Sequence, residues 1–128
     1  MKVKLLVVLT MLLSACNQDD EPAIVDTALE GDWVLSQVLC YCGFDPDTDF
    51  ALTQINFDTE RDLVTVTQNG EYTFFREAGE YFYGGQVDRI GFSDDSVYRF
   101  EVDESRLTLT FQDNPQIADD EVTYVFKR

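Results

Sequence analysis

The chain has 128 residues, with 25 Asp or Glu against 9 Lys or Arg, so its formal net charge at pH 7 is −16. This charge excludes binding to nucleic-acid backbones or anionic lipid head groups through the net electrostatic field. The chain has no histidine, which excludes Ser-His-Asp and Cys-His catalytic arrangements and every metal site built on imidazole.

Residues 1–15 have the pattern of a secretory signal peptide: two lysines, an apolar stretch over residues 5–13, and small residues at Ser14 and Ala15. The apolar stretch is shorter than the roughly 20 residues that a membrane-spanning helix needs. The sequence Leu-Ser-Ala-Cys that ends at Cys16 resembles the lipobox of bacterial lipoproteins, in which the cysteine is lipidated and becomes the new N-terminus. The alternative is an ordinary signal peptide followed by an unrelated cysteine.

Residues 17–21 are polar and acidic. They resemble the acidic segment after the lipidated cysteine in surface-exposed lipoproteins of the Bacteroidetes group; a plain solvated tether is the alternative. Position 17 is Asn rather than Asp, so the common inner-membrane retention signal is absent. The resemblance implies a protein anchored to the outer membrane through lipid on Cys16 and exposed at the cell surface, with a periplasm-facing anchor as the alternative.

The predicted organisation is a signal peptide over residues 1–15, an acidic tether over residues 16–28 and one folded domain over residues 29–128. Loss of Lys2 and Lys4 with the signal peptide changes the formal charge from −16 to −18. The acidic residues are spread along the chain, which is typical of a solvated outer surface.

The folded domain is predicted to be all-β. Short segments of alternating apolar and polar residues are separated by turn-forming residues, and helical periodicity is absent apart from one turn around Ala28. Eight or nine short strands joined by hairpin-length loops indicate an antiparallel up-and-down meander closed into a small barrel, since closure leaves no exposed edge. A sandwich of two sheets is the alternative. The predicted strands cover residues 32–41, 53–57, 63–67, 71–75, 81–83, 86–92, 97–102, 106–112 and 121–127, where 71–75 and 81–83 form one bent strand or two short ones.

Gly31 and Trp33 open the first strand, and the aromatic last strand ends in Lys127 and Arg128. These features resemble the Gly-x-Trp motif and the basic-ended last strand of lipocalins and small lipocalin-like bacterial lipoproteins. The resemblance covers residues 29–128 and implies that Trp33 fills the closed end of the barrel, with Arg128 or Lys127 lying across it. The alternative is a core tryptophan with no special partner. The chain is shorter than true lipocalins and has no evident C-terminal helix, which argues against a large open ligand cup.

The interior is predicted to be apolar on every strand. An eight-stranded barrel is just wide enough inside to be filled by its own side chains or to hold one small ligand. The many inward rings favour a filled interior, because each buried aromatic covers about 150–250 Å². The alternative is a pocket at the end opposite Trp33, rimmed by Tyr41, Phe44 and Phe50. The side chains predicted to point inward are Ile55, Phe57, Val64, Val66, Ile90, Phe92, Tyr98, Phe100, Leu107, Leu109, Phe111, Val122, Tyr124 and Phe126.

Cys40 and Cys42 lie at the end of the predicted first strand and are the only thiols left once Cys16 is lipidated. The compartments outside the cytoplasm favour disulfides. Gly43 allows the backbone to turn and bring the two sulfurs together. A local disulfide is therefore predicted; two buried free thiols, and redox or soft-metal chemistry, are the alternatives. Cu(I) would lack further ligands, because no histidine or nearby methionine is present.

Residues 45–49 carry the alternating acids of a calcium loop, at Asp45, Asp47 and Asp49. Phe50 stands where such a loop needs glycine, and Asn56 stands where it needs a bidentate Glu. The pattern therefore predicts a solvated acidic loop without a metal, and a calcium site is the alternative.

Two function classes fit these observations. One is a lipocalin-like binding module for a small apolar ligand or a partner protein, and the other is a structural or accessory envelope lipoprotein with a filled barrel and no ligand. An enzyme is not predicted, because no nucleophile stands with a base and no carboxylate pair stands out from the many solvated acids. No cofactor and no nucleic-acid partner is predicted.

Overall fold

A computed structural model describes residues 27–112 and 121–128. The predicted signal peptide, the lipidation site at Cys16, nearly all of the tether and the loop over residues 113–120 lie outside the described residues. Within them, no helix has the length and apolar character required to cross a membrane.

The described residues form eight antiparallel strands, each paired with the next, and the last pairs with the first to close the barrel. The predicted all-β meander is therefore confirmed, with eight strands rather than nine, and the two-sheet sandwich is excluded. The strands are β1 (Gly31–Leu39), β2 (Thr53–Asp58), β3 (Leu63–Gln68), β4 (Gly79–Gln86), β5 (Arg89–Phe92), β6 (Val97–Asp103), β7 (Arg106–Phe111) and β8 (Thr123–Lys127), with short 3₁₀ turns at Thr27–Leu29 and Phe50–Leu52.

The two ends of the barrel differ in their connections. One end, the base, holds the 3₁₀ turn Thr27–Leu29, the short turns at residues 59–62, 87–88 and 104–105, and the chain's last residue. The opposite end, the mouth, holds the longer connections over residues 40–52 and 69–78 and the turn at residues 93–96. Short turns at one end leave the mouth connections as the segments with room to form a site.

A β-bulge in β1 explains why both parities of this strand are apolar. The pairing with β8 shifts by one residue between Leu35 and Gln37, and the Ser36 hydroxyl donates to the carbonyl of Val125 at 2.9 Å. An extra residue reverses which side chains face inward. Trp33 and Leu35 are therefore buried before the bulge and Val38 after it.

The core includes the residues predicted to point inward, together with others such as Phe75 and Tyr83. Most of them are buried in one cluster with Trp33 and Leu35, while Phe111, Val122 and Tyr124 pack against it as half-buried side chains towards the mouth. Clean alternation on β2, β6 and β7 is the reason, because every second side chain of a strand must face the same side.

The prediction of a strand over residues 71–75 is wrong. Gly79 pairs with Val66, and no β4 partner continues towards the end of β3. Residues 69–78 instead form an irregular connection at the mouth, which we call the mouth loop. Its aromatic residues resemble a strand in sequence, but Phe75 is buried in the core cluster. Residues 71–75 are therefore held to the barrel by the buried Phe75 ring and not by backbone pairing with β3.

Candidate functional site

The base of the barrel is closed around Trp33. Its side chain has 0% exposure, and its indole N–H donates to the Leu29 carbonyl at 2.8 Å. The Arg128 guanidinium lies 4.3 Å from the ring centroid and donates to the backbone carbonyls of Ala28, Glu30 and Glu104 at 3.0–3.2 Å. Of the two basic residues considered for this position, Arg128 makes the contact. The chain's last residue thereby holds together the segment before β1 and the turn between β6 and β7.

Gly31 contributes to this base through its backbone. Its φ is +110°, a conformation that side-chain-bearing residues rarely adopt, although a Cβ would meet no atom within 4 Å. The chain needs this conformation to leave the 3₁₀ turn Thr27–Leu29 and enter β1. Gly31 is therefore required for its torsion angles and not for space.

Glu30 and Tyr83 add polar groups near the base. The Glu30 carboxylate accepts hydrogen bonds from the Thr59 hydroxyl at 2.6 Å and the Thr59 amide at 2.7 Å, and both lower the pKa of Glu30. The Tyr83 hydroxyl is buried without a hydrogen-bond partner. Burial, reinforced by the negative charge of Asp62, raises the pKa of Tyr83 to about 12.

Alkaline pH is expected to destabilise the barrel through its buried phenols. Burial raises the pKa of Tyr83 and of Tyr124 to about 12, from an ordinary value of 10.0. Below pH 10 both phenols are protonated in the folded and in the unfolded chain, so their titration does not lower the free energy of unfolding. Above it the unfolded chain releases protons first, and the free energy of unfolding falls until the pH passes about 12. Urea unfolding at about pH 9, 10 and 11 measures this slope.

Tyr83→Phe tests the same group at two pH values. Near neutral pH the variant is expected to be as stable as the parent or slightly more stable, because it removes a buried hydroxyl that has no partner. Above pH 10 the free energy of unfolding of the variant should fall less steeply with pH than that of the parent, because the variant lacks the Tyr83 phenol, whose pKa is raised by burial. An unchanged alkaline slope would show that Tyr83 does not contribute.

Phe75 fills the interior towards the mouth. Its ring makes edge contacts with Tyr98, Tyr124 and Phe126 at centroid distances of 5.4, 5.1 and 5.7 Å. An open ligand cup would need this space. In the described residues, the structure therefore has a filled mouth half, and Phe75, which sequence reasoning assigned to a strand, is the residue that fills it.

Arg76 fastens the mouth loop to the turn between β5 and β6. Its guanidinium donates to the Asp94 carboxylate at 2.6 Å and to the Ser96 hydroxyl at 2.9 Å. It also lies 4.7 Å from the Tyr81 centroid and 4.2 Å from the Phe92 centroid. Hydrogen bonds from Ser96, together with that of Arg76, lower the pKa of Asp94 to about 2. Sequence reasoning missed this pair, whose only indication was a single arginine within an aromatic segment.

Replacing Arg76 with alanine is expected to loosen the mouth loop. The Arg76 side chain is only 11% exposed. The variant loses the hydrogen bonds to Asp94 and Ser96 and two cation–π contacts, together worth about 2 kcal/mol. Hydrogen–deuterium exchange should rise at residues 71–78 and stay unchanged in β2. Arg99→Ala, on the exposed face of β6, is the matched control. Equal exchange in both variants would contradict the fastening role.

Three phenylalanines join the two long mouth connections. The Phe44, Phe50 and Phe74 rings form edge contacts with centroid distances of 5.0–5.6 Å. The Asn69 amide donates to the Leu52 carbonyl at 3.0 Å, and a Cβ on Gly70 would lie 3.0 Å from the Leu52 side chain. Gly70 is thus the residue that permits close approach of the loops.

A groove of about 860 Å³ lies between these two connections. Its apolar lining comes from Phe44, Leu52, Tyr72 and Phe74, and its rim includes Cys42. Of the predicted rim residues, the structure brings Phe44 and Phe50 into contact, but Phe50 does not line the groove. Tyr41 is 89% exposed and belongs to a separate depression with Val38, Leu39, Cys40 and Glu121.

Four acidic residues surround the groove, at Asp45, Asp47, Asp49 and Glu71. The Asp49 carboxylate accepts the Ala51 amide at 3.0 Å and caps the 3₁₀ turn Phe50–Leu52. Among the described residues that line the groove, none is basic. Across the described residues, no three cysteine or carboxylate side chains are grouped so that they could hold a metal ion.

Cys40 and Cys42 are joined by a disulfide, with their Cα atoms 5.2 Å apart. Gly43 follows with a φ of +60°, which lets the chain turn away from β1. Cys40 packs partly against the core, while Cys42 reaches the groove. The bridge therefore lies between the barrel wall and the loop that carries Phe44.

The closed eight-stranded meander defines the protein as a small antiparallel up-and-down β-barrel. No protein-family model matches the chain, and no curated protein matches it in sequence. The groove at the mouth and the closed base are therefore the observations on which a functional proposal depends.

Proposed function

We propose that this protein is a lipid-anchored, lipocalin-like binding module of the bacterial outer membrane that holds its ligand or partner at the barrel mouth. The groove between residues 42–52 and 70–74 carries this proposal. Its volume is within the range of about 300–1,000 Å³ typical of ligand sites. The lipid anchor rests on the lipobox-like sequence that ends at Cys16.

The mouth is a better binding surface than the interior. Phe75 occupies the mouth half of the interior, whereas Phe44 and Tyr72 remain exposed beside the groove, Tyr72 at 70%. Apolar rings that stay accessible next to polar groups are typical of interaction sites. The closed base, with Trp33 under Arg128, supports a rigid barrel that presents its mouth connections.

Dye and fatty-acid titration tests the binding role. The full chain carrying Cys16→Ala, which cannot be lipidated, should bind an environment-sensitive apolar dye saturably at micromolar concentration. Phe44→Ser should weaken this binding, because it removes part of the apolar lining. Phe82→Ser is the matched control, since Phe82 is 69% exposed on the outer face of β4. Absence of saturable binding by folded protein would contradict a site for small apolar ligands.

The anchor has a test of its own. Cells supplied with a labelled fatty acid should incorporate the label into the parent chain and not into the Cys16→Ala variant. Protease treatment of intact cells should digest the folded domain if the anchor faces outward. Label in both chains would contradict lipidation at Cys16.

The filled interior favours a second candidate, an accessory envelope lipoprotein without a small-molecule ligand. Phe75 in contact with Tyr98, Tyr124 and Phe126 is the observation that supports it. Mass spectrometry of protein purified under native conditions separates the candidates. A retained small molecule favours the binding module, and none, together with no dye binding, favours the accessory role.

A further inference from the structure

The acidic residues around the groove carry charge that nothing in the described structure neutralises. The side chains of Asp45, Asp47 and Glu71 take part in no hydrogen bond or ion pair with another described residue. Elsewhere at the mouth, Asp94 is paired with Arg76. The groove therefore combines an apolar lining with unpaired negative charge on its borders.

Such a surface selects its occupant by charge. A neutral apolar ligand would use the lining but leave the carboxylates without partners, and an anionic one would be repelled. A second copy of this chain is disfavoured because each copy has a net charge of −16. A cationic occupant satisfies both features, since Lys or Arg can pair with the carboxylates while apolar groups contact Phe44 and Phe74.

We infer that the groove binds a short basic segment of a partner protein, in which Lys or Arg residues flank aliphatic or aromatic side chains. This inference rests on the proposed function and names its partner class. Phe44 and Leu52 contact the apolar side chains of the segment. Asp45, Asp47 and Glu71 pair with its cations, and the exposed face of Tyr72 offers a cation–π contact.

A labelled six-residue peptide of alternating lysine and leucine, blocked at both termini, tests the inference by fluorescence polarisation. The full chain carrying Cys16→Ala should bind it saturably, and the matching glutamate–leucine peptide should not bind. Raising the salt from about 20 mM to about 300 mM should weaken the affinity at least ~10-fold, because exposed charges are screened.

Two variants of equal charge separate groove recognition from general attraction. The triple variant Asp45→Asn, Asp47→Asn, Glu71→Gln should bind the peptide at least ~10-fold more weakly. The control triple Glu60→Gln, Glu101→Gln, Asp103→Asn removes exposed acids from the base and wall and should change the affinity less than about 2-fold. Circular dichroism of both variants shows whether the barrel is intact.

The outcomes distinguish this inference from the proposed function. Equal weakening by both triple variants would overturn the inference, because the net charge and not the groove would then attract the peptide. Dye binding that depends on Phe44 without peptide binding would overturn the inference and leave the binding module standing. If neither dye nor peptide binds, both fail.

Discussion

Replacing Phe75 with alanine is expected to lower the free energy of unfolding by about 3–5 kcal/mol, because the ring leaves a cavity that the rigid barrel cannot close. Phe75 contacts Tyr98, Tyr124 and Phe126, and these side chains stand on closed, hydrogen-bonded strands. Urea unfolding followed by circular dichroism measures the loss. Tyr72→Ala, which truncates an exposed aromatic of the same loop, is the control and should cost far less.

The Phe75→Ala variant should also gain a binding property. An apolar cavity of this kind stays dry and accepts small aromatic molecules. Benzene should therefore raise the melting temperature of the variant and leave the parent unchanged. A loss below about 1 kcal/mol, with no response to benzene, would show that Phe75 does not fill the barrel interior.

Replacing Trp33 with alanine is expected to cost about 3–5 kcal/mol, the usual range for a buried large aromatic. The loss has a polar part as well, because the Leu29 carbonyl loses the indole N–H that it accepts at 2.8 Å. If the alanine variant does not fold, Trp33→Phe retains most of the packing and loses the hydrogen bond. Full stability of Trp33→Phe in urea unfolding would contradict the role of that bond.

Arg128, the last residue of the chain, is also expected to stabilise the base of the barrel. Arg128→Ala removes the cation–π contact and three hydrogen bonds to backbone carbonyls, and we expect a loss of about 2 kcal/mol. Lys127→Ala is the matched control, because that exposed side chain makes no hydrogen bond, ion pair or ring contact with another described residue. A double-mutant cycle with Trp33→Leu, which removes the aromatic ring, measures the coupling between ring and guanidinium.

The strand pattern could be predicted where alternation was strict. β2, with Ile55 and Phe57, and β7, with Leu107 and Leu109, have one apolar and one polar face, and both lie where the sequence indicated. The pattern failed over residues 71–75. Strand propensity is local, whereas the decision between pairing with β3 and burial in the core depends on contacts with distant residues.

In the candidate site, too, some residues could be predicted from the sequence and others could not. Gly31, Trp33 and the basic end of the chain could be selected from the sequence because they resemble a known motif. The structure then shows the use of each: a positive φ at Gly31, a buried ring at Trp33 and a cation at Arg128. Of the mouth residues, Phe44 was predicted as part of the rim, but its partners Phe74 and Leu52 were not. Those partners lie on irregular connections, and the alternation of apolar and polar residues does not predict the path of such segments.

The sequence by itself determined the all-β barrel, its inward faces and the chemistry that a chain without histidine excludes, because these follow from composition and from the two-residue period of a strand. Only the tertiary structure decided that Phe75 fills the interior, that Arg76 pairs with Asp94, and that Phe44 and Phe74 meet at an acidic groove. The reason is that these contacts join residues far apart in the chain, so they exist only after the barrel has closed and brought its mouth connections together.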